Sequence, residues 1–218
     1  MPELWKIINR KLGPKSAKAQ TVKFCVFGGS TPSKFVRQIK DGLLGVHQRL
    51  LNGLGFNGAS ASQDVDSGGA DSAMTRVMID KYSDDTMNQS ITGVSGKIKA
   101  IIAPDVLDRL DAYIHTGDQY GSTTNSYYKE RKNLSGAISV INKGDHRDAE
   151  LCLRFGVPSD AYLGLSVGSE DLREQVINEF KKEGISEVNG MPIESFVFLG
   201  ENMQVGDIYE KLVKPAGF

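Results

Sequence analysis

The sequence predicts a single α/β or α+β domain, in which a mixed sheet is layered with helices, preceded by a basic amphipathic N-terminal helix. Strand-like and helix-like patterns alternate along the 218 residues, without an internal repeat. The strands are short and partly polar, as is typical of a mixed sheet rather than a fully buried parallel one. We expect residues 1–20 to form a basic arm and residues 21–218 to form the α/β body.

Residues 2–12 (PELWKIINRKL) have the pattern of an amphipathic helix. Its cations Lys6 and Arg10 lie opposite an apolar stripe, since successive helical residues are about 100° apart. Pro14 ends the helix because proline cannot continue the hydrogen-bond ladder. The apolar stripe contains Leu4, Trp5, Ile7, Ile8 and Leu12.

The next segment predicts a strand followed by a helix. Residues 21–27 (TVKFCVF) are rich in β-branched and aromatic types, which favours a strand. Gly28-Gly29-Ser30 is expected to turn the chain, after which Thr31 caps a helix with proline at its first position. The helix is expected to end near Asn52-Gly53. Its apolar positions are Phe35, Val36, Ile39, Leu43, Val46, Leu50 and Leu51.

Residues 55–72 differ in composition from the rest of the body. Fourteen of these eighteen residues are Gly, Ala, Ser or Asp. Because such residues cannot build a core, a long mobile loop is predicted. Residues 73–82 then form a short element whose type the pattern leaves open.

The remaining chain continues the alternation. Ser169 precedes two acids, Glu170 and Asp171, which suit the N-terminus of a helix. The predicted elements are a strand at 97–102, a helix at 103–115, a polar loop at 116–127, a strand at 134–141, a helix at 145–155, a strand at 161–167, a helix at 170–183, a strand at 192–199 and a helix at 205–213.

Charge is distributed unevenly along the chain. The whole sequence has 26 Lys and Arg against 27 Asp and Glu, but its first 40 residues have nine cations and one acid. That end therefore carries +8 and the rest of the chain −9. Such asymmetry indicates an anionic partner or a neighbouring protomer. The nine cations are Lys6, Arg10, Lys11, Lys15, Lys18, Lys23, Lys34, Arg37 and Lys40.

The two cysteines, Cys25 and Cys152, both lie among apolar residues, which is typical of small buried side chains rather than of a disulfide framework. The pattern of a secretory signal peptide is not recognised. The apolar runs are also shorter than the roughly 18–20 residues that a spanning helix needs. We expect a reduced, cytoplasmic protein that can associate peripherally with a membrane.

The junction between the first body strand and its helix is a candidate phosphate site. Backbone N–H groups at a helix N-terminus attract anions, and glycine lets a phosphate approach closely. The spacing matches neither the P-loop nor the G-x-G-x-x-G fingerprint, so a tight turn with an ordinary N-cap is the alternative interpretation. The candidate residues are Gly28, Gly29, Ser30, Thr31, Lys34 and Arg37.

Other motifs do not meet the requirements of their chemistry. Residues 115–118 and 144–148 resemble fragments of binuclear metallophosphoesterases, but the upstream Asp-x-His and the later histidines of that family are missing. Residues 64–75 have Asp64 and Asp66 at the first two ligand positions of a calcium loop but lack its third oxygen ligand and its final glutamate. A Ser-His-Asp or Cys-His arrangement is not identifiable either. The sequence therefore predicts no catalytic residue, metal ligand or cofactor.

The charge pattern favours a non-enzymatic binding or assembly protein whose arm engages an anionic surface or a neighbouring protomer. Peripheral matrix-type and virion structural proteins share this general layout. The opposite charges of arm and body favour head-to-tail self-association, so a homo-oligomer is expected, with an anionic membrane surface or, less favoured, nucleic acid as further partners. The arm residues assigned to this contact are Leu4, Trp5, Lys6, Ile8, Arg10, Lys11, Lys15 and Lys18.

The alternative is an enzyme or sensor of a phosphorylated small molecule. It would use the turn at 28–31 together with Lys34 and Arg37, and the loop at 55–72 would act as a lid. The sequence does not identify the general base that an enzyme would need.

Overall fold

The computed structural model describes residues 22–29, 31–42, 73–79, 82–90, 97–108, 112–115, 150–153 and 156–218. The predicted arm at 1–20 and the predicted loop at 55–72 lie outside these ranges. The described strands are β1 (Val22–Gly29), β2 (Ala73–Ile79), β3 (Ile98–Ile102), β4 (Ala112–His115), β5 (Glu150–Leu153), β6 (Tyr162–Val167), β7 (Glu187–Val188), β8 (Met191–Pro192) and β9 (Val197–Leu199).

Helices in the described ranges are mostly short. They are α1 (Pro32–Asp41), α2 (Met87–Ser90), α3 (Glu170–Lys182), α4 (Ile193–Phe196) and α5 (Val205–Ile208). Two 3₁₀ turns lie at Pro104–Asp108 and Ser159–Ala161, and a π-helical turn at Tyr209–Val213 continues α5. Within the described part of the chain, no helix is long and apolar enough to cross a membrane.

Seven of the strands form one sheet in the order β4-β5-β2-β1-β3-β6-β9. Its neighbours pair antiparallel, except that β6 and β9 are parallel. Strands β7 and β8 form a separate hairpin. The sheet is therefore mixed, and the predicted fold class, a mixed sheet layered with helices in one α/β domain, is confirmed.

Apolar side chains cover both faces of the central strands. On the first face, α1 and α3 bury Phe35, Ile39 and Phe180 against the strand residues Ile98 and Ala100. We call this the α1 face. On the second face, α5 and the π-helical turn pack against the strand residues Phe24, Val26 and Ile101, and we call this the α5 face. The helical residues that cover the α5 face are Val205, Ile208, Leu212 and Val213.

Several predicted elements of the second half are confirmed. Strand β3 and strand β6 lie within one residue of the predicted bounds, and α3 begins directly after Ser169 as predicted. The Ser169 hydroxyl accepts the backbone N–H of Leu172 at 3.3 Å, so this helix has the expected cap. Cys25 is fully buried, in agreement with its interpretation as a small apolar side chain.

Three predictions of helix are wrong. Helix α1 ends at Asp41 rather than near residue 52, because Gly42 has a φ of 80° that an α-helix cannot contain. The segment predicted as a helix at 103–115 is a 3₁₀ turn followed by β4. Within the predicted helix at 145–155, the described residues 150–153 form β5. Strands β4 and β5 pair with each other, so each is stabilised by a partner distant in sequence.

The strand predicted at 192–199 is interrupted. Residues 193–196 form the single helical turn α4, which buries Ile193 and Phe196, and only residues 197–199 join the sheet. The strand predicted at 134–141 lies outside the described residues.

Candidate functional site

Three strand ends meet at one edge of the sheet. Strand β3 is antiparallel to both β1 and β6, so β1 and β6 run in the same direction, and β9 is parallel to β6. The register places Gly29, Ile98, Val167 and Leu199 in one row across these four strands. We call this row and the residues that follow β1, β6 and β9 the carboxyl edge. Ligands of α/β sheets commonly bind where strands end in this way.

The glycines of the predicted turn belong to the end of β1. Gly28 is paired with Lys99 and Gly29 with Ile98, so the expectation that they turn the chain is wrong. Gly29 has a packing role, because a Cβ there would lie 2.7 Å from Cε2 of Phe35. Glycine therefore lets α1 start close against the strand.

Few groups of α1 itself offset the positive charge and the free N–H groups at its N-terminus. Thr31 occupies the N-cap position, but its side chain makes no capping hydrogen bond, and the first turn contains no acid. The Thr31 carbonyl oxygen accepts the amides of Lys34 at 3.2 Å and Phe35 at 3.3 Å. Since Pro32 has no N–H, the Ser33 amide is left as the first-turn donor without an acceptor among the described residues.

Helix α3 starts at the same edge, but its own residues offset the positive charge of its N-terminus. Ser169 caps it, and Glu170 and Asp171 stand in its first turn. Both helices pack on the α1 face and are joined by a 2.8 Å ion pair between Lys40 and Glu183. Carboxylates in the first turn offset the positive end of a helix dipole, so the positive end of α3 is neutralised from within whereas that of α1 is not.

The structure brings together most of the predicted phosphate site. Gly28, Gly29 and Thr31 lie at the carboxyl edge, while Lys34 and Arg37 are exposed on α1 and three residues apart, hence on one side of it. Ser30 lies outside the described residues. So do all the arm residues assigned to the anionic contact, namely Leu4, Trp5, Lys6, Ile8, Arg10, Lys11, Lys15 and Lys18.

Polar side chains on the α5 face were missed by sequence reasoning. Lys99 and Ser166 are cross-strand partners in the row beside Gly28, with only 8% and 1% of their surface exposed. Near them, the carboxylate of Glu201 lies against Gly168, where a Cβ would be 2.5 Å from Oε2. The available signal was a charged residue inside the apolar run 98–102.

Burial lowers the pKa of the Lys99 ammonium, and the negative charge of Glu201 acts in the opposite direction. The Lys99 side chain has no salt bridge or hydrogen bond to another residue that the structure describes. Its ammonium is only partly buried, and among the described residues the charge of Glu201 is what offsets the hydration it has lost.

Among the described residues, no group of three or more His, Cys, Asp or Glu side chains could hold a metal ion.

Comparisons with known proteins identify no family. No family model matches the chain, and no curated protein matches it. Among solved structures, the chain is similar to Thermosipho africanus DarTG in complex with ADP-ribose, at 14% sequence identity and a TM-score of 0.49. The match covers 82% of this chain and 52% of that chain, so the chain spans about half the length of this structure.

The interpretation as a matrix-like or virion-structural assembly protein is contradicted, since the similar structure is DarTG with ADP-ribose and not a matrix or assembly protein. Two of the nine cations that gave the charge pattern contact other parts of the body. Lys40 pairs with Glu183, and the Lys23 ammonium lies 4.0 Å from the ring centre of Tyr209.

Proposed function

We propose that the chain binds a phosphorylated small molecule, with a phosphate held at the N-terminus of α1 beside the Gly28–Thr31 segment. The observation that carries the proposal is the contrast between the two helices that begin at the carboxyl edge. Helix α3 has a side-chain cap and two first-turn acids, whereas α1 has neither. A helix N-terminus without internal compensation favours an external anion.

The surrounding residues suit a phosphate. The Ser33 amide supplies a donor, and the exposed side chains of Lys34 and Arg37 supply positive charge on the first turns of α1. Lysine binds phosphate as a point charge, and arginine can donate two parallel hydrogen bonds. The proposal concerns binding and assigns no catalytic residue.

Orthophosphate and ADP-ribose are the first probes. Orthophosphate reports the phosphate site alone. ADP-ribose is the compound named in the DarTG structure, and it is chosen because it carries two linked phosphates. The choice of these probes does not enter the argument for the site, which rests on the residues of this chain.

Substitution Ser33→Asp tests the proposal without removing structure. It gives α1 the acid that α3 already has, so the fold should be unchanged or stabilised by about 0.3–1 kcal/mol. A negative charge about 4 Å from a phosphate costs roughly 4 kcal/mol at an effective dielectric constant near 20, and less in solvent, so we expect a loss of phosphate affinity of about tenfold or more. Phosphorus NMR titration measures the affinity for phosphate.

Gln175→Glu is the matched control, because it adds the same charge at an exposed position in the middle of α3. This control should leave the phosphate affinity within about twofold of that of the unmodified chain, as expected for a charge screened by salt and solvent. If neither orthophosphate nor ADP-ribose binds the unmodified chain, or if Ser33→Asp binds both normally, the proposed function is wrong.

The partners and compartment expected from the sequence stay predictions. Homo-oligomerisation, contact with an anionic membrane surface and contact with nucleic acid were assigned to residues 1–20, which lie outside the described residues. Cytoplasmic localisation likewise stays a prediction.

A further inference from the structure

We propose that Lys99 is a second anion-binding residue of this site, so that the ligand carries two adjacent phosphates bound across the carboxyl edge, from the start of α1 to the α5 face. The inference rests on the proposed function for its first phosphate. The second phosphate is argued independently, from the burial, position and surroundings of Lys99.

Burial without a bonded partner is the first observation. Lys99 has 8% of its surface exposed, yet its side chain forms neither a hydrogen bond nor an ion pair with any other described residue. The ammonium itself is only partly buried, so it stays open to a ligand, and the hydration it has lost favours an anionic partner. The described residues supply the charge of Glu201 but no bonded partner, so an anionic group from a ligand would complete the arrangement.

Position relative to the proposed phosphate site is the second observation. Lys99 is the cross-strand partner of Gly28, which lies within the glycine segment that precedes α1. Cross-strand partners in an antiparallel pair have Cα atoms about 4.5–5.5 Å apart and side chains on the same face. Gly28 itself contributes no side chain on that face.

The second cross-strand neighbour of Lys99 is small and polar. Ser166 pairs with Lys99 from β6, and the Ser166 hydroxyl lies 2.6 Å from where a Cβ of Gly200 would be. Ser166 therefore places a hydroxyl next to Lys99 in this row, with Ile101 and Phe198 as apolar neighbours on the same face. Phosphate oxygens accept hydrogen bonds from such a hydroxyl, which favours a phosphate over an apolar ligand moiety.

Glu201 makes the inference testable in two directions. Its carboxylate is the negative charge that acts on Lys99, and it would repel a phosphate bound there. Removing the ammonium should therefore weaken the second phosphate, whereas removing the carboxylate should strengthen it. A purely structural role of the two side chains predicts no such opposition.

Pyrophosphate and orthophosphate are the probes, and both are titrated into the full chain near neutral pH at constant ionic strength. Lys99→Met keeps the apolar stem and removes the charge. We expect it to weaken pyrophosphate binding by about 10- to 100-fold, as for loss of a charged hydrogen bond, and to leave orthophosphate within about twofold. Glu201→Gln should strengthen pyrophosphate binding severalfold. The melting temperature of each variant checks its fold.

The outcomes separate the two proposals. If the unmodified chain binds orthophosphate and Lys99→Met binds pyrophosphate as tightly as the unmodified chain does, the inference fails and the proposed function stands. Equal weakening of both anions by Lys99→Met would also overturn the inference, since it would place Lys99 at the first phosphate. If Lys99→Met does not fold, Glu201→Gln decides: unchanged pyrophosphate affinity overturns the inference. Absence of binding of either anion overturns both.

Discussion

Glycines at the carboxyl edge differ in what surrounds them, although the sequence presents them alike. A Cβ on Gly200 would lie 2.5 Å from the Phe198 ring and 2.6 Å from the Ser166 hydroxyl. A Cβ on Gly168 would meet the end of the flexible Glu201 side chain instead. An aromatic ring in a packed core cannot yield as a surface carboxylate can. Glycine is therefore required at position 200 for packing, and at position 168 it leaves room for Glu201.

This difference predicts unequal costs for the same substitution. Gly200→Ala should lower the free energy of unfolding by about 1–3 kcal/mol, the usual cost of overpacking a core. Gly168→Ala should cost less than about 1 kcal/mol, because only the Glu201 carboxylate has to move. Urea denaturation of both variants measures the difference. Equal costs would contradict the close packing described around Gly200.

At the scale of elements, the two helices of the α1 face show how similar sequence signals lead to differently capped N-termini. Both Thr31 and Ser169 are good N-cap types and both were predicted to cap. Only Ser169 does so, through the Leu172 amide. The Thr31 hydroxyl makes no capping hydrogen bond, so the predicted cap is absent. The N–H groups at the start of α1 therefore stay available to an external anion.

The caps can be compared by alanine substitution. Ser169→Ala should lower the free energy of unfolding by about 1 kcal/mol, as for a typical N-cap. Thr31→Ala should change it by less than about 0.5 kcal/mol, since no side-chain cap is lost. Chemical denaturation without added anion provides the measurement. A comparable loss in both variants would show that Thr31 caps α1, and it would remove the contrast that supports the proposed site.

At the scale of the whole molecule, the ion pair between Lys40 and Glu183 connects helices that are far apart in sequence. The hydrogen bond from Lys40 and its charge lower the pKa of Glu183, and the same contact raises the pKa of Lys40. Both side chains are exposed, so their contribution to stability is small and screened by salt. The pair lies near the ends of α1 and α3 that are away from the carboxyl edge.

The stabilising contribution of this pair should depend on pH. Because folding lowers the pKa of Glu183, its contribution is present at neutral pH and is lost as the pH falls through the folded-state value. Because folding raises the pKa of Lys40, the contribution is also lost as the pH rises through the folded-state value of Lys40. Glu183→Gln should therefore lower the melting temperature slightly at pH 7 and leave it unchanged near about pH 2, where the carboxyl is protonated.

Glu174→Gln serves as the control for this measurement, because it removes another exposed carboxylate from the same helix. The difference between the two variants at pH 7 isolates the ion pair, and high salt should reduce that difference. A Glu183→Gln effect that persists in acid would show that the side chain stabilises the protein by another route.

Local signals in the sequence predicted several elements. Ser169 with its following acids identified the start of α3, and the β-branched and aromatic residues of 21–27 identified β1. The Asn189-Gly190 turn of the β7–β8 hairpin was a further available signal, since both residues have positive φ, of 51° and 79°, as a type I′ turn requires. The cap and the hairpin turn depend on neighbours within a few residues, whereas β1 was recognised from its composition although its partners β2 and β3 are distant in sequence.

The sequence by itself determined the fold class, the start of α1 after a glycine pair, and the presence of cations near it. Only the tertiary structure decided that 112–115 and 150–153 are strands, because each gains its hydrogen bonds from a distant partner. The same holds for the site. The sequence analysis assigned no role to Lys99, and the residues beside it, Gly28, Ser166 and Glu201, lie between 67 and 102 residues from it in sequence. The burial and charge compensation of Lys99 result from the packing of these residues, so a local sequence pattern does not predict them.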